Sequence, residues 1–91
     1  MKNEEFKAII ACKERAIHAN PAMPIHERTA EYNRQLRENV SPELYVRYCC
    51  HQCGKHIDPD MIIVATQHVY HDVSEDAIYG WILHERLKMK N

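Results

Sequence analysis

The chain has 91 residues, of which 12 are Lys or Arg and 13 are Asp or Glu, for a formal charge of -1. That balance excludes a bulk electrostatic pull onto nucleic acid or an anionic membrane and leaves only local patches for either. A chain this short buries only about 60 % of its unfolded surface, so a metal, a disulfide or a partner is expected to add stability.

The opening residues, MKNEEFK, carry no apolar signal region, and no run approaches the roughly 18 apolar residues of a membrane span. A soluble, cytosolic protein is therefore expected. In that compartment disulfides are rare, so clustered cysteines read as metal ligands or catalytic thiols.

In chain order, Phe6, Ile9, Ile10, Ala16 and Ile17 recur at helical spacing, Glu4 and Glu5 suit a first turn, and Asn20-Pro21 stops the run, which predicts a helix over 3–19. "NPAMP" predicts a rigid turn, because two prolines three residues apart cannot share one regular helix. Ile25, Thr29, Tyr32 and Leu36 then form a narrow stripe on a charged segment, predicting a second helix that folds back on the first as a hairpin. Cys12 falls among the apolar positions and is expected in the core. Ser41-Pro42 reads as N-cap and first helical residue of a short helix through "ELYVRY".

Beyond the cysteines the pattern changes. "MIIVATQHVY" is rich in β-branched and aromatic residues and follows the turn-forming "DPD", which predicts one or two short strands, as in a small hairpin. A last helix is expected from Asp72 or Ser74, either of which can cap it, through "EDAIYGWILHERLKMK". Gly80 weakens such a helix by about 1 kcal/mol relative to alanine, so it is read as the mark of a close packing contact.

Between Cys49 and Ile57 fall three of the four cysteines and two of the seven histidines. Cys50-x2-Cys53 followed by Gly54-Lys55 has the form of a zinc knuckle, in which two thiolates on a tight turn share one tetrahedral ion. Adding His68 and His71 gives C-x2-C-x14-H-x2-H. The two-residue histidine gap is too short for one helix of a finger, so His68 is expected at a strand end and His71 at the start of the last helix. The expected ligands of one structural Zn2+ are thus Cys50, Cys53, His68 and His71, with His56 in reserve. Cys49, His51, His84, His18 and His26 have plainer roles as packing or solvated residues. The expected fold is α+β and mostly helical. It is one domain: a helical region over 1–48 with an N-terminal hairpin, then a treble-clef-like zinc finger with a short β-hairpin and a C-terminal helix over 49–91.

The stretch "CHQCGKHID" resembles the zinc-finger region of the DksA/TraR family, transcription regulators that reach into a channel of bacterial RNA polymerase. Cys50, Cys53, Gly54 and Ile57 match its C-x2-C-G-x2-I, and His71 stands where the family's second cysteine pair begins. Ser74 occupies the place of the fourth cysteine, and the acidic tip of the family's helical region is replaced by "NPAMPIH". The resemblance implies a zinc-stapled helical adaptor.

Catalysis finds little support. Asp58 or Asp72 could serve near an open metal site, as in a treble-clef nuclease, but there is no phosphate-binding glycine loop, H-E-x-x-H or nucleophile elbow. Nucleic-acid binding would use a rim of Arg47, Lys55, Arg86, Lys88 and Lys90, against the acidic Asp58, Asp60, Asp72, Glu75 and Asp76. The leading expectation is a small regulator or inhibitor, of a size common on phages and other mobile elements. It would bind a larger protein or protein complex through anchors among Tyr32, Tyr45, Tyr48, Tyr79 and Trp81.

Overall fold

A computed structural model describes residues 2–18, 21–54 and 57–89, and within them every regular element is an α-helix. They are α1 (Lys2–Glu5), α2 (Lys7–His18), α3 (Ile25–Asn39), α4 (Pro42–Cys53), α5 (Pro59–Val69) and α6 (Glu75–Met89). They group into two compact units, Met1–Ser41 and Pro42–Asn91, each with its own core. No helix among the described residues is long and apolar enough to cross a membrane.

In the first unit α2 and α3 lie antiparallel. Arg15 Nε donates to Gln35 Oε1 at 3.0 Å. At the other end Arg28 ties down the connection by donating to the carbonyls of Ile17 and of Met23, the latter at 3.2 Å. The buried side chains are Phe6, Ile9, Cys12, Ala16, Leu36 and Val40. Cys12 is core, but Ile10 and Ile17 stay about half exposed on the edge of that face, and Ile25 is 82 % exposed. Only the Leu36 end of the α3 stripe is closed; towards the loop the two helices leave a groove. On the outer face of α3, Arg34 bonds Glu31 and Glu38 at 2.6 Å each, and this guanidinium holds the Glu31 carboxyl below its ordinary value.

The second unit corrects the expected α+β fold. Where a β-hairpin and a knuckle turn were expected, the chain is helical on both sides of Gly54. Helix α4 runs through the cysteines to Cys53, and Gly54, at φ +80, closes it by donating to the Cys50 carbonyl at 2.9 Å. This is the left-handed C-terminal cap for which glycine is suited, and it removes the tight turn that a knuckle needs.

Pro59–Val69 is helix α5, not strand. Asp58 is its N-cap, accepting from the Asp60 N–H at 3.0 Å, and Pro59 sits in the first turn, where its missing N–H costs nothing. Ile62, Ile63, Thr66 and Val69 then face the core at i, i+1, i+4 and i+7. Thr66, fully buried, satisfies its hydroxyl on the Ile62 carbonyl at 2.7 Å. Burial of these side chains overrides their β-preference, which mainly reflects fit to a half-buried sheet.

Helix α6 starts at Ser74, whose Oγ accepts from the Ala77 N–H at 3.1 Å, so of the two candidate caps Ser74 is used. Helices α4, α5 and α6 share a core of Val46, Cys50, Ile62, Ile63, Ile78 and Ile82, with Cys49, Ile57, Val73 and Trp81 packed against it.

Candidate functional site

Cys50 and Cys53 both fall in the last turn of α4, on different sides of it. Cys50 is buried in the apolar core and Cys53 is exposed. Their position works against thiolates, because the C-terminal end of a helix carries partial negative charge. Burial raises the Cys50 thiol above its ordinary value, and burial pushes Cys49 up to about 11, opposed by a hydrogen bond with Tyr45.

His68 is exposed in the last turn of α5, and His71 is exposed in the turn that follows. Among the described residues no three His, Cys, Asp or Glu side chains come together as metal ligands. The described residues thus do not bring Cys50, Cys53, His68 and His71 together at one point. The reserve ligand His56, with Lys55, lies outside the described residues. The strand end that was to deliver His68 is replaced by α5, which carries His68 outward, while His71 sits in the turn just ahead of α6.

What does assemble beside α4 is an ion cluster on a buried carboxylate. Glu85 of α6 is only 3 % exposed. Its Oε2 lies 3.2 Å from His51 Nε2, and its Oε1 lies 3.4 Å from Arg47 Nε and 3.9 Å from Lys88 Nζ. The Arg47 contact is an ion pair without hydrogen-bond alignment. Arg86, on the next position, donates to the Ile57 carbonyl. Arg47, Arg86 and Lys88, expected to form a basic rim for nucleic acid, are therefore engaged within the unit, and Lys55 and Lys90 lie outside the described residues. The cleft here, lined by Glu43, Arg47, Trp81, His84, Glu85 and Lys88, is about 50 Å3, far below the 300 Å3 or more of a small-molecule site. The i, i+4 spacing of Arg47 and His51 puts both on one face of a helix, but nothing in the sequence marks Glu85 as their partner.

The more open feature is the groove of the first unit. It holds about 180 Å3 and is lined by Lys13, Ala16, Ile17, Ile25, Arg28, Thr29 and Tyr32. Its floor is apolar and its flanks carry two basic residues. Of the other expected anchors, Tyr45 packs against Tyr70 with ring centroids 5.8 Å apart, Trp81 lies on the core, and Tyr79 is exposed.

No protein-family model, no curated protein and no solved structure matches the chain.

Proposed function

We propose that this chain is a small helical regulator or inhibitor that acts by docking on a larger protein, and that the groove between α2 and α3 is its contact surface. The observation that carries this reading is Ile25. It is held 82 % exposed on the first position of α3, next to the half-exposed Ile17, on the wall of an apolar groove. A partner that inserts an apolar side chain there would remove both isoleucines from water. Burial at about 25 cal/mol per Å2 makes two such residues a useful anchor. Lys13 on the flank favours an acidic residue beside that side chain.

The test compares the wild-type chain with Ile25→Glu as bait in a bacterial lysate, identifying retained proteins by mass spectrometry. A defined protein held by wild type and lost by Ile25→Glu, with unchanged helical circular dichroism, supports the proposal. Retention of the same proteins by both baits, or of none, sinks it. A salt-dependent DNA or RNA shift run alongside reports the nucleic-acid alternative.

A further inference from the structure

Helix α4 carries two cysteines outside the core it helps to build. Val46 and Cys50, four residues apart, are the pair it buries in the shared core of the second unit. Cys49 is half-buried and Cys53 exposed, and with Tyr45 they form a row at i, i+4 and i+8 beside that buried face.

Tyr45 fixes one end of the row. Its ring lies against Tyr70, with centroids 5.8 Å apart, and its hydroxyl donates to the Cys49 sulfur. Burial keeps the Cys49 thiol protonated in the free chain, and this hydrogen bond works the other way by favouring the ionised sulfur. A hydrogen bond of that kind orients a metal-bound ligand and tunes its basicity.

The spacing decides what the two sulfurs can hold. Cβ atoms four residues apart on a helix are roughly 5 to 6 Å apart. A disulfide needs about 3.5 to 4.5 Å, so it would form only by unwinding the last turn of α4. Two metal–sulfur bonds of about 2.3 Å in line set the sulfurs roughly 4.6 Å apart, which the intact helix accommodates. Among the described residues no third His, Cys, Asp or Glu joins the pair. Two thiolates suit a soft ion of low coordination number such as Cu(I), whereas structural zinc takes four ligands and magnesium or calcium takes oxygen.

We infer that Cys49 and Cys53 form a two-sulfur site for a soft, thiophilic metal ion of the cuprous type, held in line between the two sulfurs at the end of α4. Each thiol gives its proton to solvent as its sulfur–metal bond forms, and the ion is neither oxidised nor reduced. The site lies within the second unit and does not depend on the groove of the first.

Anaerobic titration of the reduced full chain with Cu(I), in competition with a chromophoric Cu(I) chelator, tests it. The expected result is one ion per chain, on a chain that sediments as a monomer. Cys49→Ser and Cys53→Ser should each weaken binding by at least about 100-fold at unchanged circular dichroism, because the helix presents the second sulfur at a high effective concentration. Cys50→Ala should leave the affinity unchanged, and Tyr45→Phe should lower it by about 10-fold with the same stoichiometry. On the wild-type chain, X-ray absorption should find two sulfur neighbours around the ion, and one equivalent of Cu(I) should block alkylation of Cys53. Failure to compete with the chelator, an ion bridging two chains through Cys53 alone, an affinity indifferent to Cys49→Ser, or a shell of three or four ligands would each overturn the inference.

Discussion

The thiols of α4 show how little a residue's type says until its environment is known. Cys50 and Cys53 have the spacing of a metal half-site, yet one is a core residue and the other faces solvent. Replacing the buried one by serine places a hydroxyl in an apolar core at a cost of about 1 to 3 kcal/mol. Replacing the exposed one should change stability by less than about 0.5 kcal/mol. Chemical denaturation of Cys50→Ser and Cys53→Ser checks this, and equal losses together with one bound zinc per chain would instead place a metal on the pair.

Cys49 carries a pH signature. Unfolded, its thiol ionises near 9.0; folded, burial holds it protonated to about 11. The folded-state pKa is the raised one, so this contribution is fully present below pH 9 and is lost as pH rises from 9 to 11. The loss amounts to roughly 2 kcal/mol at 1.36 kcal/mol per pH unit. Stability measured across that window should fall less steeply in Cys49→Ala. At pH 8, Cys53 should be alkylated well before Cys12, Cys49 and Cys50.

At the scale of the element, the decisive case is α5. Asp58-Pro59 and Ser41-Pro42 share one grammar, a polar capping residue followed by proline, and both open helices. The difference in expectation came from the β-branched run downstream, whose residues at i, i+1, i+4 and i+7 also describe a helical face. A short apolar run is ambiguous in this way until the neighbours that bury it are known. The capping reading makes a prediction that a hairpin does not share: Asp58→Ala should destabilise the second unit by about 1 kcal/mol, read as faster amide exchange through α5. A turn between strands would show no helix-wide change.

For the whole molecule, the two separate cores sharpen the stability problem posed by its length. Each unit is about half the chain, a size at which an isolated core is marginal. Binding is one remedy, since a ligand of the native state raises stability by mass action. A partner that binds the native chain should accordingly raise its melting temperature by several degrees at saturation, read by calorimetry with and without that partner. A melting temperature indifferent to that partner would remove binding as the source of that stability.

By itself the sequence determined the local helix grammar. Ser41-Pro42 and Ser74 marked where two of the helices begin, the 3.6-residue spacing of Phe6, Ile9 and Ala16 marked a core face, and Cys12 was placed correctly among apolar neighbours. These are near-neighbour effects, carried by φ restriction and side-chain periodicity along a few residues. Only the tertiary structure decided that "MIIVATQHVY" is helical, that Cys50 is core, that Glu85 gathers Arg47, His51 and Lys88, and that one face of α6 is left uncovered. Each depends on which distant side chains share a buried volume. Burial there outweighs the local β-preference of about 1 kcal/mol or less that the residues carry on their own.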